Sequence, residues 1–143
     1  MNMKSTSLMF MLGVLLSACA NRGATAVKDD ANDEVLCAIA KNPSAYNGDE
    51  VVLSARYVTD NRHEEVLRNS RCSDGAQILD IGRHGASSSV ARFYTEQKRI
   101  CLKRNTPGLC NTAANVQVSG RIRLTQDRAV FDLEEVRYFT FDE

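Results

Sequence analysis

Val116-Gln117-Val118-Ser119-Gly120-Arg121-Ile122-Arg123-Leu124 is the stretch that decides the fold, because its apolar and polar residues alternate strictly. The valines, Gly120, Ile122 and Leu124 fall on one side of an extended chain, and the polar residues fall on the other. This period of two is typical of a strand with one buried face. The sequence therefore predicts a long, half-buried β-strand here.

The segment after this strand is predicted to return as its hairpin partner. Gln126-Asp127-Arg128 is a short polar turn, and residues 129–139 follow it as the second strand. In that strand Phe131 and Leu133 have one parity, whereas Val136 and Tyr138 have the other. One extra residue would bring all of them to the same face, so we expect a bulge near Glu134-Glu135.

Three strands are predicted upstream of the hairpin. Residues 50–58 alternate as one long strand, residues 64–68 form a shorter one, and residues 77–81 form a third. We expect the third strand to end at Gly82 and Gly85, since glycine weakens strand interiors.

Two helices complete the pattern. The first has an apolar face of Val35, Leu36 and Ile39 behind acidic caps at residues 29–33, and Asn42-Pro43 ends it near Lys41. The second begins at the serines of residues 87–89. Its predicted buried face consists of Val90, Phe93, Gln97, Ile100 and Cys101.

This order of elements predicts the fold class. A short helix followed by β-β-β-α-β-β is expected of an α+β, mainly β domain, a small OB-fold-like five-stranded barrel over residues 31–143. A half-open sheet built from the same elements is the alternative. Tyr46 to Ala55 and Val116 to Gly120 also resemble the strand openings of small OB-like domains in exported proteins. Ala55 stands where that pattern has glycine.

The N-terminus has the three zones of an export signal. Lys4 lies in a polar start, residues 8–16 are apolar, and Ser17 and Ala18 are small. The apolar run is shorter than the roughly 20 residues that a membrane-spanning helix needs. Leu16-Ser17-Ala18-Cys19 resembles the lipobox of bacterial lipoprotein precursors. An ordinary secretory signal with a chance cysteine is the alternative.

The lipobox resemblance implies a location for the mature chain. Residues 1–18 would be removed, Cys19 would carry lipid, and residues 19–30 would form a tether. Ala20 is not the aspartate that tends to retain such proteins in the inner membrane. The resemblance therefore implies a lipid anchor in the bacterial envelope, at the outer membrane, with the domain facing the periplasm.

The cysteines are consistent with an oxidising compartment. There are five, and lipidation of Cys19 leaves an even set. Those four allow three pairings, which sequence alone does not distinguish. We favour Cys101 with Cys110, because Pro107-Gly108 can turn the chain between them, and hence Cys37 with Cys72. A metal site that combines cysteine with His63 and His84 is the alternative, although no Cys-x-x-Cys spacing supports it.

Charge and composition bear on the partners. The chain has 18 basic and 18 acidic residues, which gives no global electrostatic reason to bind nucleic acid. OB-folds bind ligands on strands two and three and on the flanking loops. Their positions here predict a binding surface made of Arg62, His63, Arg68, Arg121, Arg123 and Arg128.

The kind of ligand is narrowed by the aromatic residues. Base stacking needs exposed rings, and Tyr57, Tyr138 and Phe139 are more typical of core or rim packing. Nucleic acid is therefore disfavoured, whereas an envelope protein or a cell-wall glycan fits the expected location. The residues do not distinguish these two partners, and they indicate neither a cofactor nor a bound metal.

No catalytic constellation is evident in the sequence. In Arg62-His63-Glu64-Glu65, neighbouring side chains of an extended chain point to opposite faces. Asp80 and His84 could approach each other across a turn, but polar side chains on a solvent-exposed segment explain their presence as well. A hydrolase would gain support if His63 or His84 lay within hydrogen-bonding distance of a carboxylate at the bottom of a cleft.

The leading functional hypothesis follows from these observations. We expect a lipid-anchored periplasmic binding or envelope-structural module that is not an enzyme. An inhibitor or accessory subunit that docks on an envelope enzyme or secretion assembly is the competing class, and gene neighbourhood would distinguish it.

Overall fold

A computed structural model describes residues 34–104, 109–126 and 128–142. The expected signal, Cys19, the tether and the caps at residues 29–33 lie outside the described residues, and so does Pro107-Gly108. None of the helices in these three ranges combines the length and apolar character that crossing a membrane would require.

The elements follow the predicted order. In chain order they are α1 (Glu34–Lys41), a 3-10 turn (Pro43–Tyr46), β1 (Glu50–Thr59), β2 (Glu65–Asn69), β3 (Gln77–His84), α2 (Ser88–Arg104), β4 (Thr112–Thr125) and β5 (Arg128–Phe141). α1 ends before Pro43, as expected from the restriction that proline places on the preceding residue.

The five strands close into a barrel in the order β1-β2-β3-β5-β4, with β4 pairing back onto β1. β3 and β5 are parallel, and all other neighbours are antiparallel. The prediction of a small, mainly β, OB-like barrel is therefore confirmed. The half-open sheet is excluded, since pairing runs around the whole circuit.

The core fills the inside of the barrel and is covered at one end by α2. Phe93 of α2 is 1% exposed, and its ring meets Tyr57 edge-on with the two centroids 4.9 Å apart. Phe139 and Phe141 of β5 pack against the same ring at 5.3 Å and 5.2 Å. Edge-on and offset ring contacts of this kind are favourable, so they fix α2 against the strands.

β5 contains the predicted bulge and a second one. The register with β4 shifts opposite Ser119/Gly120 and again opposite Gln117/Val118, which leaves Glu134 and Arg137 as the extra residues. Gly120 faces the first shift, where a Cβ would lie 2.8 Å from the Phe131 ring. A side chain at that position would force the two strands apart.

The expectation that β3 ends at Gly82 is wrong, because the strand continues to His84. Glycine is needed at position 82 because β3 and β5 lie very close together there, and not because β3 ends there. A Cβ on Gly82 would collide with Val130 and lie 2.8 Å from Asp132 Oδ1, so only glycine lets β3 approach β5 this closely. The longer strand carries His84 towards the start of β2.

Two disulfides brace the barrel, in the pairing that the sequence favoured. Cys37 joins Cys72, which ties α1 to the segment after β2. Cys101 joins Cys110, which ties the end of α2 to the segment before β4. All four thiols are consumed, so the alternative of a metal site with thiolate ligands from these cysteines is excluded.

Candidate functional site

Side chains from four different elements meet at the carboxylate of Glu65, the first residue of β2. Tyr57 of β1 donates its hydroxyl to Oε1 at 3.0 Å, and Tyr94 of α2 donates to the same oxygen. His84 at the end of β3 places Nε2 2.8 Å from Oε2. Both carboxylate oxygens are therefore engaged, and we call Tyr57, Glu65, His84 and Tyr94 the Glu65 cluster.

The pairing register brings these residues together. Glu65 faces Thr59 across the β1–β2 ladder and is thus the diagonal neighbour of Tyr57, whose direct partner is Leu67. Diagonal neighbours on one face of an antiparallel pair are within reach of long side chains. Tyr94 follows the buried Phe93 and meets its ring edge-on at 5.1 Å. α2 thereby presents the Tyr94 hydroxyl to β2.

The two phenols act as fixed hydrogen-bond donors. Burial raises the pKa of Tyr57 and of Tyr94 well above the ordinary tyrosine value, and the neighbouring Glu65 carboxylate raises both pKa values further. Each phenol therefore keeps its proton throughout the physiological pH range.

His84 is held on two sides. Its ring stacks on Tyr94 with centroids 4.6 Å apart and an interplanar angle of 30°, and the Tyr94 hydroxyl lies 3.0 Å from Nε2. A carboxylate next to Nε2 favours the tautomer that carries the proton there. Nδ1 is then left as an acceptor, and no residue in the described ranges hydrogen-bonds to it.

The loop that joins β1 to β2 lies beside the Glu65 cluster, and its backbone is hydrogen-bonded to the side chain of Asp60. One carboxylate oxygen of Asp60 accepts from the backbone N–H groups of Arg62, His63 and Glu64 at 2.8, 2.7 and 3.0 Å. These bonds favour the charged form and lower the pKa of Asp60 well below its ordinary value. His63 Nδ1 lies 3.1 Å from the other oxygen.

The same loop is tied to the rest of the domain. The Thr59 hydroxyl donates to the Glu64 carbonyl at 2.6 Å, and the backbone N–H of Cys110 donates to the Asp60 carbonyl at 3.3 Å. Asn61 takes the left-handed conformation, with φ of 63°, which asparagine tolerates better than most residues. The loop conformation is thus set by its own sequence and by the Cys101–Cys110 bridge.

Between this loop and α2 lies a cleft of about 510 Å³. We call it the loop cleft. The Glu65 cluster lines it, and so do further polar side chains of the loop, β3 and α2, namely Asn61, Arg62, His63, Asp80 and Gln97. A concave site with a few convergent polar groups is the usual form of a small-ligand site.

The structure divides the six residues of the predicted binding surface. Arg62 and His63 line the loop cleft, whereas Arg68 lines a separate cleft further along β2. Arg121 pairs with Glu50 at the start of β1, which is the end of that strand furthest from the loop. That the six residues form a binding surface stays a prediction, but the three arginines of the β4–β5 hairpin do not share a cleft with Arg62 and His63.

Each hairpin arginine has its own acceptor. Arg121 Nη1 donates to the Gly48 carbonyl at 2.8 Å, Arg123 makes two 2.9 Å bonds to Asp132, and Arg128 Nη2 lies 3.4 Å from Asp80. The Arg123 guanidinium lowers the pKa of the Asp132 carboxyl below its usual range. These contacts hold the hairpin.

Asp80 and His84 both line the loop cleft, but no hydrogen bond or ion pair joins them within the described ranges: Asp80 pairs with Arg128, and His84 pairs with Glu65. Sequence reasoning missed Glu65 and Tyr94 as site residues. Strand register could have indicated Glu65. The alternation of residues in a strand and the length of the loop before it partly determine which residues face each other across the sheet. The contact of Tyr94 with β2 has no comparable signal in the sequence.

His84 lies within hydrogen-bonding distance of Glu65, and both line the loop cleft. The His84 side chain is 42% exposed, so this geometry meets only the distance part of the condition for a hydrolase. No group of three or more histidine, cysteine, aspartate or glutamate side chains suited to a metal occurs among residues 34–104, 109–126 and 128–142. Of the three aromatic residues considered for base stacking, Tyr138 is exposed and Tyr57 is buried.

No protein-family model matches the chain, and neither a curated protein nor a solved structure does. The geometry of the loop cleft is therefore the basis for a functional assignment.

Proposed function

We propose that this chain is a lipid-anchored envelope protein whose barrel binds a cell-wall glycan in the loop cleft, without catalysis. The anchor rests on Leu16-Ser17-Ala18-Cys19 at the end of a short apolar run. The two disulfides support an oxidising compartment such as the periplasm.

The observation that carries the binding function is the convergence of four elements on Glu65 inside a cleft. β1, β2, β3 and α2 each supply one member of the Glu65 cluster. Side chains locked by packing and by one another give a site its specificity at little entropic cost on binding. A network that only stabilised the fold would not need to line an open cleft of about 510 Å³.

A glycan fits this cleft better than a protein surface does. Its volume lies within the roughly 300–1,000 Å³ of small-ligand sites. The lining offers a guanidinium, amides, carboxylates and an imidazole, which suit a ligand covered in hydroxyl groups. The half-exposed ring of His84 also presents a flat face against which a sugar ring can pack.

Titration with soluble peptidoglycan fragments tests the binding site. The full chain is held in an uncharged detergent, and affinity is measured by calorimetry. Tyr94→Phe keeps the ring but removes the hydroxyl shared by Glu65 and His84, so we expect at least tenfold weaker binding, about 1.4 kcal/mol. Arg99→Gln is the matched control and should bind normally, because Arg99 pairs with Glu96 on α2 and neither residue lines the loop cleft.

Two results would count against the binding proposal. One is equal loss of affinity in Tyr94→Phe and Arg99→Gln. The other is no binding of any fragment together with specific crosslinking of one envelope protein to the loop cleft, which would favour the inhibitor or accessory subunit instead.

The anchor is tested separately by Cys19→Ser. We expect this variant to lose palmitate labelling and to remain unprocessed or mislocalised, because the acceptor thiol is gone. Ser17→Thr keeps Cys19 and is the control for changes near the cleavage site. Normal globomycin-sensitive processing of Cys19→Ser would contradict the anchor.

The distance between His84 and Glu65 supports a second candidate, a glycan hydrolase that uses the same cleft. Glu65 would hold the proton on Nε2, and Nδ1 would accept a proton from water as the water oxygen bonds to the anomeric carbon. The glycosidic C–O bond then breaks, and the protonated imidazole returns its proton to the leaving sugar oxygen.

Mass spectrometry of the same fragments after incubation distinguishes the two candidates. Binding without new products supports the non-catalytic module. Cleavage that His84→Gln abolishes, while affinity is kept, would support the hydrolase.

A further inference from the structure

A second cleft lies on the outer surface of β1 and β2, away from the loop cleft, and arginines dominate it. Its volume is about 380 Å³. Three arginines line it together with small polar side chains, namely Arg56, Arg68, Arg71, Ser54, Ser70 and Asn115. No carboxylate from the described part of the chain lines it. In a chain with equal numbers of acidic and basic residues, this is a local excess of positive charge.

The strand register creates this excess. Arg56 of β1 and Arg68 of β2 face each other directly in the antiparallel ladder, and Asn115 of β4 faces Arg56 on its other side. Like charges directly opposite each other destabilise a sheet. Placing two arginines there is unfavourable unless an anion lies between or above them.

Within the described residues, a carboxylate is hydrogen-bonded to only one of the two arginines. Arg56 is bonded to the carboxylate of Asp142 and, at 3.3 Å, to Oδ1 of Asn115. Arg68 pairs with Glu64, but Oε1 of Glu64 lies 3.9 Å from Nη2, which is too far for a hydrogen bond.

Arg68 also has a buried donor without an acceptor. Its Nε is inaccessible to solvent and has no hydrogen-bond partner among the described residues. Buried polar groups are nearly always paired, and an unpaired one calls for an explanation. The side chain as a whole is 41% exposed, so an anion can reach the Nη groups from outside, whereas contact with Nε requires the side chain to rotate towards the cleft.

We propose that this arginine cleft binds a phosphate-type oxyanion, with Arg68 as its principal contact and Arg56 as a second. A guanidinium presents Nε–H and Nη–H as a fork that matches two oxygens of such an anion. Bound there, the anion would satisfy the Arg68 fork and separate the two facing positive charges. This inference does not rest on the glycan site or on the lipid anchor.

The same chemistry could come from a soluble phosphate compound or from the headgroup of an anionic lipid. Both are tested with the full chain in an uncharged detergent. The readout is the NMR signal of the Arg68 Nε–H group, which reports its hydrogen bonding directly. Inorganic phosphate is added at constant ionic strength against chloride.

We expect phosphate, but not chloride, to shift the Arg68 Nε–H signal in a saturable manner. Arg68→Gln should weaken phosphate binding at least tenfold, and Arg68→Lys should weaken it less, because the charge is kept while the fork is lost. Arg128→Gln is the matched control and should leave the affinity unchanged. Thermal melting shows whether each variant is folded.

The source of the anion is distinguished in lipid nanodiscs. A shift of the same signal in discs that contain phosphatidylglycerol, and not in discs of phosphatidylcholine alone, assigns the site to a lipid headgroup. A shift with inorganic phosphate alone assigns it to a soluble ligand. The proposal is overturned if no phosphate source moves the signal, or if Arg68→Gln and Arg128→Gln weaken phosphate binding equally.

Discussion

At the hairpin end of the barrel, where β4 turns into β5, each arginine meets its own acceptor, whereas under the β1–β2 loop three side chains converge on one carboxylate. Arg123 and Asp132 form a closed two-bond pair. Glu65 instead serves Tyr57, Tyr94 and His84 at once. The two regions use charged groups for different purposes.

This difference indicates how far the effect of one substitution should spread. A surface ion pair contributes at most about 1 kcal/mol, and its loss affects two residues. A shared acceptor connects every group that depends on it, and here those groups lie on β1, β3 and α2. The hairpin pair is local, whereas the Glu65 cluster joins four elements around a cleft.

The largest effect is expected at Val118, in the barrel that supports both regions. Its side chain is 2% exposed, so Val118→Asp would bury a carboxylate without a partner. We expect a loss of about 3–5 kcal/mol in the free energy of unfolding, measured by chemical denaturation of the full chain in uncharged detergent. The hairpin and the loop cleft should be lost together.

The neighbouring residue supplies the control for this change. Gln117 lies on the opposite face of β4 and is partly exposed, so Gln117→Asp should cost well under 1 kcal/mol. Equal melting of the two variants would show that the faces of β4 are assigned backwards.

The faces of the strands could be predicted from the sequence because they follow from local alternation. Val116 and Val118 are buried where their parity places them, and the bulge near Glu134 follows from the change of parity between Leu133 and Val136. The end of β3 could not be predicted in this way. Glycine is required at position 82 because Val130 of β5 lies very close to it, and this contact joins distant parts of the chain.

The candidate site was less predictable for the same reason. Arg62 and His63 were expected from the position of the loop, and they do line the loop cleft. Glu65 and Tyr94 are 29 positions apart, and the closure of β2 and β3 onto α2 brings them together. A polar cluster whose members come from distant parts of the chain produces no periodic pattern in the sequence.

The second effect tests the shared acceptor directly. Glu65→Leu removes the charged acceptor that the Tyr57 and Tyr94 phenols share and leaves them only weaker, uncharged partners such as His84 Nε2. We expect a cost of about 2 kcal/mol in the free energy of unfolding. Hydrogen exchange should also show faster opening of β2 and α2 near Tyr94.

Asp132→Asn at the hairpin is the matched comparison for Glu65→Leu. It weakens a single pair with Arg123, so we expect a loss below about 1 kcal/mol, with exchange rates altered only in the hairpin. Equal costs and equally local effects for the two variants would show that the Glu65 cluster does not link the elements it touches.

The smallest effect concerns acidification of the β1–β2 loop. Because three backbone N–H groups lower the pKa of Asp60, its carboxylate stabilises the folded chain above the ordinary aspartate pKa of about 3.9, and this contribution is lost as pH falls towards the lower folded value. The 13C NMR signal of the Asp60 side-chain carboxyl carbon should therefore show no protonation from neutral pH down to about pH 4 and should change only below it. Asp60→Asn removes the titrating group, so its melting temperature should fall less steeply with acid. If the wild-type carboxyl carbon instead titrates at the ordinary aspartate pKa, Asp60 does not hold the loop, and the conformation of the loop is set by Thr59 and the Cys101–Cys110 bridge alone.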